Sequence, residues 1–251
     1  MIGDVVGRPG RRALEMFVPG LRKQHGIDVV IANGENAAGG FGITTDTADE
    51  IFRAGVDVIT TGNHIWDQRE IIPHLDEGLP ILRPLNYPPG SPGRGYLVKN
   101  SVLVINVMGR VFMDALDCPF RGVDSVLESV TPLPKVIVVD LHAEATSEKQ
   151  AMAWYLDGRV SLEVGTHTHV PTADPRIMPK GTAAVTDVGM AGPSLSVIGM
   201  EPASVIEKFL TQTPRRFTVA GGPVKMNAVL VDVDGSTGKA RSIVRMDREA
   251  E

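Results

Sequence analysis

Apolar positions along this chain follow two alternating rhythms. Short aliphatic runs at 28–32, 56–60, 101–107, 135–140, 160–164 and 183–186 read as buried strands. Between the first of them lie helical patterns. Leu14, Phe17, Val18 and Leu21 recur at three- and four-residue spacing. That predicts a helix from near Pro9, a residue suited to a first turn, to Gly26. Pro19 should kink or split this helix, because proline lacks the amide donor and crowds the preceding turn. A second helix, capped by Thr45 or Asp46, carries Ala48, Ile51 and Phe52 and stops at Gly55. Further helical stretches fall near 68–77 and 146–157. Residues 84–95 collect Pro84, Pro88, Pro89, Gly90, Pro92, Gly93 and Gly95, which is loop composition. Late strands near 224–233 and 240–246 flank Asp234-Gly235 and Gly238, a hairpin signal. The early β-α-β alternation predicts a layered α/β fold with mainly parallel central strands, whose ligands sit beyond the carboxyl ends of those strands.

Metal-type donors gather at those ends. Asp4 follows Ile2-Gly3, Glu35 and Asn36 follow the run ending at Ala32, and Asn63 and His64 follow Val58-Ile59. His142 follows Val136 to Val139, and His167 and His169 alternate just past Val160 to Val164. A strand before Asp4 would hold only Met1, Ile2 and Gly3, so it is either very short or begins before this numbering. Carboxylate, amide and imidazole together suit a hard-to-borderline metal. The donors Asp4, Glu35, Asn36, Asn63, His142, His167 and His169 are too many for one ion and fit two ions sharing a bridge, with Glu35 the bridging candidate. Two ions about 3.5–4 Å apart clamp the attacking and leaving oxygens of a phosphoryl displacement. His64, beside that set but outside it, is placed to hold a phosphate oxygen or protonate a leaving group, with Asp67 as its orienting partner.

Composition narrows the setting. The 251 residues, 43% of them hydrophobic, suffice for a sizeable core. A net charge of −5 gives no overall basic field, so stable nucleic-acid binding is not expected. The basic group Arg8, Arg11 and Arg12 reads as a solvated helix start. Cys118 stands alone, which rules out an intrachain disulfide and fits a reducing compartment. With no leader pattern and no apolar run near about 20 residues, the expected location is the cytoplasm, without membrane.

Five blocks carry a resemblance. Gly62-Asn63-His64 and Gly165-Thr166-His167-Thr168-His169 resemble motifs of calcineurin-like metallophosphoesterases. Together with Gly3-Asp4-Val5-Val6-Gly7, Asn33-Gly34-Glu35-Asn36-Ala37-Ala38, Trp66-Asp67 and His142 to Lys149, they resemble the YmdB-like branch over almost the whole chain. Two departures from the wider superfamily stand out. Val5-Val6 follows Asp4 where that superfamily has a histidine, and Glu35-Asn36 stands where it has Gly-Asp; the YmdB-like branch shares both changes. The resemblance implies a calcineurin-like sandwich of mixed β-sheets flanked by helices, as one domain over 1–251 with a small cap or rim loop around 66–100. It implies one metal on Asp4, Glu35, Asn36 and His169, and another on Glu35, Asn63, His142 and His167. It further implies iron or manganese, with zinc open, and in-line attack of metal-bound hydroxide on a small phosphate ester or cyclic nucleotide, notably the 2′,3′-cyclic form. A phosphomonoesterase or protein phosphatase on the same site remains an alternative, as does a regulatory or scaffold protein that keeps the metal site. A homo-oligomer is open.

Other residues read more plainly. His25 and His74 read as solvated helix-surface residues, Glu144 and Glu148 as a solvated helix start, and Trp66 and Trp154 as packing residues. Thr186 to Pro193, glycine-rich after a strand, could line the site, but it lacks the lysine-serine pair of a P-loop. Gly39-Gly40-Phe41-Gly42 is either a flexible lip or a plain turn.

Overall fold

The computed structural model describes residues 1–251. The chain begins β1 (Ile2–Val5), α1 (Gly7–His25), β2 (Ile31–Asn33), α2 (Thr45–Arg53) and β3 (Val58–Thr60), followed by a 3-10 helix over Arg69–Asp76. It continues through β4 (Tyr96–Lys99), β5 (Val102–Met108), α3 (Pro119–Ser129), β6 (Val136–His142), α4 (Thr146–Leu156) and β7 (Leu162–Thr166). The last part comprises β8 (Arg176–Ile177), β9 (Ala183–Val185), β10 (Met190–Pro193), α5 (Pro202–Thr211), β11 (Val224–Met226), β12 (Val229–Val233), β13 (Ala240–Arg245) and β14 (Arg248–Ala250).

Two six-stranded sheets form, in the orders β14-β11-β10-β1-β2-β3 and β4-β5-β6-β7-β9-β8, and β12-β13 is a separate antiparallel hairpin. The centres are parallel: β10-β1-β2-β3 in one sheet and β5-β6-β7-β9 in the other. One apolar cluster joins Ile31 and Val58 of the first sheet to Val104, Val138, Leu162, Val164 and Val185 of the second. The sheets therefore pack face to face. On the outer face of the first sheet, Ala13, Leu14 and Val18 of α1 and Ala48 and Ile51 of α2 share a core with Val5, Ala32 and Ile59. On the outer face of the second, Val123 and Val126 of α3 and Met152 and Leu156 of α4 pack on Leu103, Ile105, Ile137 and Val139. The result is a helix–sheet–sheet–helix sandwich, the mixed α/β architecture that the residue pattern predicts.

Strand periodicity explains where polar groups enter. Side chains alternate between faces with a period of two. Val138, Asp140 and His142 of β6 thus face the other sheet, while Ile137, Val139 and Leu141 face the helices. The same inward face carries Ile31 then Asn33, Val58 then Thr60, Val104 then Asn106, and Val164 then Thr166. The inter-sheet layer is apolar at the amino end of the strands and polar at the carboxyl end.

Several expectations need correction. α1 runs unbroken across Pro19, whose position is solvent-exposed, so the carbonyl that loses its partner can turn to water. The run at 224–233 is two strands, β11 and β12, separated at Asn227 and Ala228. Helices α3 and α5 lie outside the predicted elements; each begins at a proline after an irregular stretch. Glu148 is not solvated: it is 8% exposed, and its carboxylate accepts the amides of Arg110 and Val111. Trp154 is 59% exposed rather than packed, whereas Trp66 does pack, edge-on to Tyr87. No helix is long and apolar enough to cross a membrane.

Candidate metal centre

All seven donors converge at the carboxyl end of the sandwich. Asp4 lies in β1 and is fully buried, and Glu35 and Asn36 follow β2 directly. Asn63 follows β3, His142 ends β6, and His167 and His169 follow β7. His142 is the hub. Its Nε2 lies 2.8 Å from Glu35 Oε1, 3.1 Å from Asn63 Oδ1 and 3.0 Å from His167 Nδ1. Asp4 Oδ1 is 3.9 Å from His142 Nδ1 and 3.8 Å from His169 Nε2, and Asn36 Nδ2 is 3.2 Å from His169 Nε2. The donor atoms of Glu35, His142 and His167 all lie within 4.8 Å of one another.

Two of these atoms carry the case for a cation. Asp4 Oδ1 and Glu35 Oε1 are buried without a hydrogen-bond partner. Glu35 Oε1 lies 2.8 Å from His142 Nε2 without forming an aligned hydrogen bond to it. Buried anionic oxygens left this way cost several kcal/mol unless a positive charge meets them, on the order of magnitude known for buried ions. The other oxygen of each carboxylate is held: Asp4 Oδ2 accepts the His167 amide at 3.1 Å, and Glu35 Oε2 accepts the His64 amide at 2.9 Å.

The neighbours fix each ring. His169 Nδ1 donates to the Ile198 carbonyl at 2.7 Å, leaving Nε2 with its lone pair toward Asp4 and Asn36. Thr166 Oγ1 lies 3.0 Å from His142 Nδ1 and donates to Asp140 Oδ1 at 2.8 Å. With its own proton on Asp140, the hydroxyl can accept from Nδ1, while the Asn33 amide nitrogen, 3.2 Å from the same Nδ1, holds the ring from the other side. Asp140 also takes the hydroxyl of Thr60. Such outer hydrogen bonds orient metal-binding imidazoles. Asn33 and Thr166 fall inside the motif blocks without a predicted role, and Thr60 and Asp140 fall outside them; a lone aspartate two residues before His142 in an apolar strand is the readable signal.

Electrostatics agree with a site built for positive charge. Burial raises the Glu35 carboxyl, but the charge and contact of His142, together with His64, overcome this and bring it to about 2. Burial lowers His142, yet Glu35, Asp4 and Asp140 lift it to about 9. Burial first, then the charge of His142, pushes His167 down to about 3. Burial also raises Asp4, although His169 and His142 oppose the shift.

His64 stands apart from this cluster. Its side chain is 29% exposed, its Nδ1 is 2.8 Å from Asp67 Oδ2, and Phe41 meets its ring edge-on at 5.3 Å. Glu144, expected as a plain surface residue, puts Oε2 3.2 Å from His167 Nε2. A cavity of about 1270 Å³ opens elsewhere, among Met1, Val29, Val102, Pro132, Leu162 and Val231, and none of the seven donors lines it.

The family model described as YmdB-like protein matches residues 1–246. The chain belongs to the YmdB-like family. This YmdB-like chain is 47% identical over 249 residues to a Bacillus subtilis (strain 168) protein named 2′,3′-cyclic-nucleotide 2′-phosphodiesterase, covering 98% of this chain and 94% of that one. It superposes with a TM-score of 0.93 and 45% identity on the crystal structure of a hypothetical protein from Thermus thermophilus, covering 100% of this chain and 98% of the other. A novel phosphatase from Mycoplasma pneumoniae gives the same TM-score of 0.93 at 34% identity, over 99% and 92% of the two chains. The sandwich is a metallophosphoesterase fold, and the YmdB-like chain is a phosphoesterase.

Proposed function

We propose that the chain is a metal-dependent phosphodiesterase that opens 2′,3′-cyclic nucleotides at the 2′ oxygen. The observation that carries this reading is the pair of unpartnered buried carboxylate oxygens, Asp4 Oδ1 and Glu35 Oε1, aimed among three imidazoles. The substrate class comes from the 47% identical relative and its name. Asp4, Glu35, Asn36 and His169 would hold one cation, and Glu35, Asn63, His142 and His167 a second; the donor set suits manganese, iron or zinc, and the family resemblance favours iron or manganese. The Asn36 amide can offer its oxygen after a half-turn. When bound, the cations acidify a water and offset negative charge on the phosphoryl oxygens.

The protein's own groups do the rest. Glu35, fixed through its Oε2 by the His64 amide, keeps the anionic floor of the site in place. His64, partly exposed and held at Nδ1 by Asp67, delivers a proton from Nε2 to the departing O2′. Water oxygen joins phosphorus, the P–O2′ bond breaks, and a 3′-monophosphate remains. Residues 1–251 act as one catalytic domain, with 66–100 as its rim. The absence of stable nucleic-acid binding completes the proposal, a homo-oligomer stays open, and the cytoplasm is the proposed location.

The test pairs metal analysis of freshly purified protein with a panel of 2′,3′-cyclic nucleotides, 3′,5′-cyclic nucleotides and simple monoesters. Turnover of the 2′,3′-cyclic compounds, lost with bound metal in Glu35→Gln and Asn63→Ala, is expected. Preference for monoesters would replace the reading with a phosphomonoesterase. A cellular effect that persists in both inactive variants would point to a scaffold.

A further inference from the structure

The segment Thr186 to Pro193 contributes no ligand to the centre, yet one of its residues is wired into the histidine loop. Asp187 is 1% exposed. Its Oδ2 accepts Lys149 Nζ at 2.7 Å, the Thr168 amide at 3.2 Å and the Thr168 hydroxyl at 2.8 Å. Its Oδ1 accepts the Gly189 amide at 2.8 Å. Its backbone is bound too: its amide donates to Thr172 Oγ1 at 2.9 Å, and its carbonyl accepts the Thr172 amide at 3.1 Å. One side chain thus grips Thr168, which lies between His167 and His169, while the same residue's backbone secures the loop's far end.

That loop needs a grip. His167 sits at φ 103° and His169 at φ 63°, both in the left-handed region that side chains disfavour. Such conformations persist only where surrounding contacts over-determine them. Asp187 supplies those contacts between the two strained residues. Lys149 makes the arrangement durable. It is 1% exposed, and its stem runs over Gly165, where an added Cβ would lie 2.7 Å from Lys149 Cδ and 1.8 Å from the Thr186 carbonyl oxygen. The glycine that opens the Gly-Thr-His-Thr-His run is therefore the gap through which α4 reaches under the loop. The grip extends to the first sheet as well: Gly189, bound to Asp187 Oδ1, accepts the Asp4 amide on its carbonyl at 3.0 Å.

We infer that the Lys149–Asp187 pair is a positioning device that holds His167 and His169 in their strained backbone conformation and so sets the metal affinity of the centre. This rests on the proposed reading of those histidines as metal ligands. Asp187 is no ligand: it acts through the loop and, by way of Gly189 and its own charge, on Asp4.

The experiment is calorimetric titration of metal-free protein with Mn²⁺, for the parent, Asp187→Asn, Lys149→Gln and Thr168→Val, with the KM and kcat of each. Outer-sphere partners of metal ligands typically contribute about 10–100-fold in affinity. Weakening of about that size is expected for Asp187→Asn and Lys149→Gln, and about 10-fold for Thr168→Val, which removes the hydroxyl's contacts with Asp187 and the exposed Val170 backbone and leaves the ion pair. At saturating Mn²⁺, kcat should recover toward the parent and KM should stay put, an outcome that mere loss of folded protein does not give. Should Asp187→Asn fail to fold, Thr168→Val decides. Parent-like Mn²⁺ affinity in Thr168→Val and in every folded variant overturns the inference and leaves the metal centre standing. A parent that binds no Mn²⁺, Fe²⁺ or Zn²⁺ overturns the metal reading itself, and this inference with it.

Discussion

Gly62→Ala isolates one steric contact at the hub of the site. Gly62 precedes Asn63, and a Cβ there would lie 2.1 Å from His142 Cδ2 and 2.3 Å from its Nε2. Carbon and nitrogen atoms need about 3.4 Å or more, so the ring or the Gly62 backbone must give by about 1 Å. The ring has little room, because its Nδ1 side is held by Thr166 Oγ1 at 3.0 Å and Asn33 Nδ2 at 3.2 Å, and the residue is fully buried. Overpacking of this kind costs about 1–3 kcal/mol of stability. The larger effect falls on chemistry, where a misplacement of about 1 Å can cost about 100-fold in rate. The assay is turnover of a 2′,3′-cyclic nucleotide at saturating metal, beside circular dichroism and thermal unfolding. The expected result is a folded protein with turnover down about 100-fold. A folded Gly62→Ala protein with parental kcat and KM would refute the placement of His142 at the hub.

Three further outcomes follow from the same geometry. His64→Ala should lower kcat by about 100- to 10,000-fold, the range for a lost general acid, while Mn²⁺ affinity in calorimetry stays near parental; a matching collapse of metal affinity would make His64 a ligand instead. Adding Mn²⁺ at about 100 times its dissociation constant should stabilise the metal-free protein by about 2.7 kcal/mol, read as a rise in Tm, and Glu35→Gln should abolish most of that rise. Glu163, fully buried with Oε1 unpartnered, is pushed well above its ordinary range by burial, despite the opposing charge of Lys149. A raised carboxyl pKa stabilises the fold below the unfolded value near 4.5 and loses that contribution as pH climbs toward the folded value. Unfolding free energy should therefore fall from pH 5 to 8 more steeply in the parent than in Glu163→Gln, by up to about 1.4 kcal/mol per pH unit, and equal slopes would contradict a buried neutral Glu163.

The chain's own residues determined much of this molecule. Aliphatic runs broken by donors fixed which strands exist and which end of each carries chemistry, because strand period and strand length are local properties. The seven donors could be named for the same reason: each stands at or just beyond a strand end, where a side chain is free to face a ligand. The fate of Pro19, by contrast, depended on which side of α1 meets water. Glu148 could be a solvated helix start or a buried acceptor, and only the return of the 109–111 loop onto α4 decided it. Asp140, Thr166 and Asp187 work through partners as far as 80 residues away in the chain, such as Thr60 and Lys149. Those pairings arise when two sheets stack and bring inward faces together, and no local pattern encodes which inward face meets which. The orphaned oxygens of Asp4 and Glu35 are tertiary in the same sense, since an acceptor lacks a partner only once every neighbour is in place.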